Sequence, residues 1–207
     1  MYIHSMNIQF VNICTISYAT YMTRHRIGFA SFSVDNLVLG LLMQGGRHGY
    51  SLYQEYQKTF GSIWQVGQSK FYAALDRLDG QGLAASTTED QSGRPARRIY
   101  TITDEGREQF LAWLYAPVLP IRAIRVEFVA KLRFFQLLAL DGVAQLLRTQ
   151  IRACRDELDG TVLQRQAVED PIDRLTFRFR EQQLEAYLTW LYECTATLAP
   201  EDDPGQA

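Results

Sequence analysis

The chain has 207 residues, 47% of them hydrophobic, which is enough for one large or two small domains and too apolar for wholesale disorder. Its formal net charge of −2 excludes a surface that is basic throughout, so any anion-binding patch has to be local. Three widely spaced cysteines (Cys14, Cys154, Cys194) and three histidines (His4, His25, His48) in no ligand spacing exclude a disulfide framework and a zinc site, and no metal or cofactor is expected.

Residues 1–32 read as a poorly ordered N-terminal extension. The first 21 are semi-apolar but lack the basic start and small-residue cleavage site of a signal peptide, and Met22 opens a stretch, MTRHR, that reads as a natural start. The chain contains no apolar run of 18 residues, so no membrane span is expected and the cytoplasm is the expected compartment. The first clear helix spans Ser33 to Met43: Ser33 is the N-cap, Asp35 suits the first turn, and Val34, Leu37, Val38, Leu41 and Leu42 make an apolar stripe ended by Gly45-Gly46. A second helix is predicted from about Gly49 to Phe60, with Leu52, Tyr53, Tyr56 and Phe60 on one face and Gly61 as its stop.

The third helix opens at Gln68 or Ser69. Phe71, Ala74, Leu75 and Leu78 share its buried face, while Ser69, Lys70, Ala73, Asp76 and Arg77 lie opposite with Tyr72 at the edge. Two extended runs follow, Leu83 to Thr88 and Arg97 to Thr103, separated by the polar turn segment EDQSGRPA, so a hairpin with basic tip and base is predicted. Thr103 caps a fourth helix with Asp104 and Glu105 in its first turn and Phe110, Leu111, Trp113 and Leu114 on its apolar side; Pro117 and Pro120 mark a domain boundary. From Ile121 onward the pattern is long helices only. Ile121, Ile124, Phe128, Leu132 and Phe135 repeat at near-heptad spacing, Asp141 caps a second long helix, and Asp170-Pro171 caps a third. Residues 200–207 read as a disordered tail.

These elements predict a mainly α chain: an N-terminal winged helix-turn-helix over residues 33–117, with three helices, a β-hairpin wing and a fourth helix, followed by long antiparallel helices over 121–199. In such a domain the third helix is of a size to enter a DNA major groove while the wing lies on phosphates or the minor groove. Between Lys70 and Arg98 the chain carries five basic residues (Lys70, Arg77, Arg94, Arg97, Arg98) and four acidic ones (Asp76, Asp79, Glu89, Asp90), so a DNA-binding reading rests on where the cations sit rather than on their number. The candidate DNA contacts are Gln68, Ser69, Lys70, Tyr72, Ala73 and Arg77 on the third helix and Arg94, Arg97 and Arg98 on the wing.

The segments LGLLMQGGRHGYSLYQEYQ, SKFYAALDRLDGQGL and GRPARRIYTITDEGREQFLAWL resemble the PadR family of transcriptional regulators, closely from Leu37 to Leu114. FVAKLRF and the late Trp190-Leu191 resemble the family's longer subclass, which has a helical C-terminal dimerisation domain. The resemblance implies a homodimeric winged-helix regulator, usually a repressor, released by a small aromatic or hydrophobic effector. Gly49-Tyr50 then opens the second helix, Tyr72 stands where the family has a tyrosine on its recognition helix, and Gly93, Arg94 and Pro95 match the wing turn; Ala96 departs from the polar or basic residue of many relatives. Phe128, Leu132, Phe135, Leu184, Leu188 and Leu191 are the candidate dimerisation residues, and Arg133, Arg180 and Tyr187 the candidate partners of an anionic effector. The acidic clusters at Asp156-Glu157 and Glu181–Glu185 alternate with arginines as solvated helix pairs do, and no nucleophile, base and orienter set occurs, so an enzyme is not expected. A protein-docking winged helix without DNA binding is the alternative from another class. A MarR-like regulator fits less well, because its dimer helices flank the winged helix at both ends and the long helices here are almost all C-terminal.

Overall fold

The computed structural model describes residues 33–91, 94–118 and 123–199, and the side chains of residues 90–97 are outside that description. The expected extension at 1–32, the tail at 200–207 and the tip glycine Gly93 therefore lie outside the described residues. The chain forms two compact units: one holds residues 33–116 and 123–139, the other 117–118 and 140–199.

The first unit begins with α1 (Val34–Leu42), whose N-cap Ser33 accepts the Asp35 amide at 3.2 Å. A two-residue strand, β1 (Arg47–His48), leads into α2 (Gly49–Phe60) and α3 (Gln68–Gly80). The hairpin β2 (Ala84–Gln91) and β3 (Arg94–Ile102) follows, then α4 (Asp104–Tyr115). The three strands form one antiparallel sheet in the order β1-β3-β2. This is a winged helix-turn-helix. Its core is built from Leu37, Val38, Leu41, Leu52, Tyr56, Phe60, Phe71, Leu75, Leu78, Phe110 and Leu114, all essentially inaccessible. Tyr56 closes the α2–α3 loop from inside: its hydroxyl donates to the Trp64 carbonyl (2.6 Å) and accepts from the Val66 amide (2.5 Å).

The wing is longer than the sequence pattern indicates. Both strands continue into the polar segment expected to be a turn, with a register irregularity between Glu89 and Gln91. Backbone pairing places Thr88 opposite Arg98 and Glu89 opposite Arg97, so the ladder runs on into the polar segment. Strand β1 is likewise an addition; it pairs with Ile99 and Tyr100 of β3 and ties the start of α2 to the wing. At the base of the hairpin, Thr103 Oγ1 donates to the Gly82 carbonyl (2.8 Å) and accepts from the Gly106 amide (3.1 Å), so one side chain both closes the wing and caps α4.

A π-helical turn, Ile124–Phe128, runs into α5 (Val129–Leu137), and this segment belongs to the first unit. Phe134 is the reason. Its ring packs 4.6 Å from Phe60 and 5.2 Å from Phe110, in space left by Gly40, where a Cβ would come within 2.4 Å of the ring. Beside it, the buried Lys131 donates to the Ala116 carbonyl (2.7 Å), and Trp113 Nε1 donates to Glu127 (2.8 Å).

The second unit is an antiparallel pair, α6 (Val143–Ala167) and α7 (Pro171–Leu198). Gly142, at φ +104°, stands at the N-cap of α6 where Asp141 was expected; the left-handed turn that glycine allows delays the helix by one residue. Asp170 caps α7 as the Asp-Pro pair predicts, accepting the Ile172 and Asp173 amides. Glu181, buried on α7, takes Arg165 of α6 (2.5 Å) and Arg178 (3.0 Å), which hold its carboxyl below the usual range. Gln150 clasps both backbone groups of Val118, fixing residues 117–118 on α6. Among the described residues no helix is long and apolar enough to cross a membrane.

Candidate nucleic-acid interface

Helix α3 turns its apolar face, Phe71, Ala74, Leu75 and Leu78, into the core and leaves Gln68, Ser69, Lys70 and Ala73 exposed, with Tyr72 half-buried at the margin. Its N-cap, Gly67, offers no side-chain cap. Lys70 lies over the Trp64 ring at 5.8 Å and has no carboxylate partner among the described residues. Tyr72 rests on Gly49: a Cβ there would lie 3.0 Å from its ring, which is why the start of α2 approaches α3 at a glycine.

Between α2, α3 and β3 lies an open groove of about 610 Å³ lined by His48, Tyr50, Ser51, Tyr72, Asp76, Arg98 and Tyr100. Tyr50 is 61% exposed, with its hydroxyl accepting from Gln54 (2.9 Å). His48, Tyr50 and Ser51 were not among the candidate DNA contacts read from the sequence; the signal for them was the Gly49-Tyr50 dipeptide at the helix start.

Two of the expected cations are engaged inside the protein. Arg77 makes a two-pronged pair with Asp35 of α1, which raises the pKa of its guanidinium. Arg98 reaches back to α3, where Asp76 (3.0 Å) and Asp79 (2.8 Å) accept from it, and its guanidinium lies 5.3 Å from the Tyr100 ring. Burial pushes the Tyr100 phenol up, Arg98 working against that and Asp76 with it. Arg94 and Arg97 lie on β3, their side chains outside the described residues.

The other expected residues fall in both units. Phe128, Phe135, Leu184 and Leu191 are already buried within the chain, and Leu132 and Leu188 half-buried. Among the described residues of the second unit, the most exposed large apolar side chains are Leu163, Ile172, Leu175 and Phe179, each at least 60% exposed. Arg133 belongs to the first unit and donates to Gln136 (2.8 Å); Arg180 and Tyr187 belong to the second, one turn pair apart on α7, with Arg180 over the Phe177 ring at 5.4 Å.

Residues 38–112 match the Transcriptional regulator PadR-like family, and residues 124–199 match Virulence activator alpha C-term. The chain is 25% identical over 138 residues to the negative transcriptional regulator PadR of Bacillus subtilis, covering 65% of this chain and 76% of that one. The structure of that B. subtilis protein with operator DNA aligns over 79% of this chain and 97% of its own, at 22% identity and a TM-score of 0.41. Its structure with p-coumaric acid aligns over 82% and 96%, at 22% identity and a TM-score of 0.36.

Proposed function

We propose that this chain, whose residues 38–112 match the PadR-like family of transcriptional regulators, binds operator DNA as a homodimer and represses transcription until a small aromatic or hydrophobic ligand releases it. The observation that carries the DNA-binding reading is the outward polar face of α3, with Lys70 and Tyr72, set beside a two-stranded wing. A helix with an exposed polar face suits a major groove, and Lys70 suits a phosphate. Arg94 and Arg97 of β3 are proposed as further phosphate partners.

The division of labour follows the elements. The winged helix at 33–117 meets DNA, and the helices within 121–199 dimerise and receive the effector. Ile172, Leu175 and Phe179 recur at i, i+3 and i+7 on α7, a helical stripe of exposed apolar side chains of the kind that marks a protein–protein surface. Pairing through it presents two reading helices to a pseudo-palindromic site. Repression is proposed because the B. subtilis relative is a negative regulator. The effector class is proposed because that relative has been crystallised with p-coumaric acid; Arg180 and Tyr187 on α7 are the polar groups of the second unit proposed to meet an acid of this kind. The place of action is the cytoplasm, with the DNA.

The test is fluorescence anisotropy of the full chain against a labelled duplex of the DNA immediately upstream of its own coding sequence, with a mixed-sequence duplex of equal length as reference. Preferential binding that Lys70→Ala and Tyr72→Ala weaken is the expected result. Equal, unaltered binding to both duplexes refutes the reading. Light scattering at micromolar concentration is expected to give the mass of a dimer.

A further inference from the structure

Asp79, in the last turn of α3, is the hub of the contact between reading helix and wing. It accepts the Ser86 amide (3.0 Å), the Ser86 hydroxyl (2.8 Å) and Arg98 Nη2 (2.8 Å). One turn earlier Asp76 accepts Arg98 Nη1 (3.0 Å) and the Tyr100 hydroxyl (3.4 Å). Arg98 Nη2 also donates to Ser86 Oγ (2.7 Å). Ser86 of β2 and Tyr100 of β3 are register partners, so both strands are tied at one level to two carboxylates on one helix. Tilting the hairpin, or rotating α3 about its axis, breaks several charge-assisted bonds together.

We propose that Arg98, Asp76 and Asp79 form a bracket that sets the angle between the reading helix and the wing, and that Arg98 is a positioning residue rather than a phosphate ligand. The inference rests on the DNA-binding reading and revises one residue of it. One guanidinium against two carboxylates leaves an excess negative charge at the cluster. A phosphate close enough to take Arg98 also meets Asp76, whose side chain is 63% exposed at the lip of the groove. Transfer of Arg98 to DNA strands both carboxylates beside the backbone, a like-charge contact that opposes it. A cation already neutralised within the protein displaces no counterion from DNA, so Arg98 contributes nothing to the salt dependence, whereas each cation that neutralises a phosphate contributes about one unit of slope.

The experiment is a salt series of anisotropy titrations on the two duplexes with wild type, Lys70→Ala, Arg98→Ala and Asp76→Asn. Lys70→Ala is expected to lower the slope of log affinity against log salt by about one. Arg98→Ala is expected to weaken binding about tenfold with its slope unchanged, as for loss of a charge-assisted positioning contact. Asp76→Asn, at a side chain 63% exposed, is expected to weaken binding too. A lowered slope for Arg98→Ala, or tighter binding by Asp76→Asn, overturns the proposal, because both mean that Arg98 is a DNA cation held back by its acids. Should wild type bind neither duplex, the functional reading fails and the bracket is judged in the free chain by hydrogen exchange. Arg98→Ala and Asp79→Asn are each expected to speed exchange at the β2 and β3 amides, Ser86 included, and to leave α2 unchanged; unaltered exchange in the hairpin overturns it.

Discussion

Lys131 offers a direct handle on how α5 is joined to the winged helix. Its side chain is 1% exposed, donates to the Ala116 carbonyl at the end of α4, lies 3.6 Å from Glu127 and sits 4.8 Å from the centre of the Trp113 ring. Burial disfavours the ammonium more than Glu127 favours it, and the pKa falls to about 8. In the unfolded chain the same group titrates near its ordinary value of about 10.4. Below pH 8 both states carry the proton and the burial cost of the charge is fully present. Between about pH 8 and 10.4 the unfolded state binds the proton and the folded state does not, so stability rises with pH. The slope is about 1.4 kcal/mol per pH unit and the full gain about 3 kcal/mol. The assay is urea unfolding of wild type and Lys131→Met from pH 7 to 10. Subtraction removes the tyrosines and cysteines, which titrate alike in both. The wild-type stability relative to Lys131→Met is expected to be level up to about pH 8 and then climb by ~2 kcal/mol by pH 9.5. A difference that stays flat over that range refutes the buried, perturbed lysine.

Two further substitutions probe the scaffold that holds the interface. Gly106→Ala places a Cβ 1.9 Å from the Leu83 carbonyl oxygen, a backbone atom held by the Thr103 amide, so no side-chain rotation relieves it; a loss of about 3 kcal/mol is expected in thermal or urea unfolding, and an unchanged transition contradicts the packing of α4 on the hairpin base. Tyr56→Phe keeps the buried ring and removes the hydroxyl that joins the Val66 amide and the Trp64 carbonyl, at a cost of ~1–3 kcal/mol measured by urea unfolding; a neutral effect contradicts the buried bridge.

The helices of the first unit were legible because their stops are local. Ser33 and Thr103 are true caps, and the stripes Val34–Leu42 and Phe71–Leu78 bury the residues their spacing selects. What the sequence concealed depends on distant neighbours. Nothing near Arg47-His48 announces a strand, since its ladder is made with β3 some fifty residues on. The heptad-like spacing of Phe128, Leu132 and Phe135 reads as an interface between copies, yet Phe134, off that stripe, enters the core of the winged helix and carries the segment with it. On the site, placement of Gln68, Ser69, Lys70 and Ala73 on an open face follows from helical periodicity alone. The pairing of Arg77 with Asp35 and of Arg98 with Asp76 and Asp79 does not, because charge partners 19 to 42 residues apart are set by how elements pack. Counting Asp76 and Asp79 as charges against DNA binding missed that they organise the wing.

The most direct measurement is a hydroxyl-radical footprint of the full chain on its own upstream DNA. A dimer reading successive major grooves should protect two patches on one face of the duplex, centred about 10 base pairs apart or a multiple of that, and lose both in Lys70→Ala. Uniform cleavage along the fragment, or one isolated patch, would contradict a paired set of reading helices.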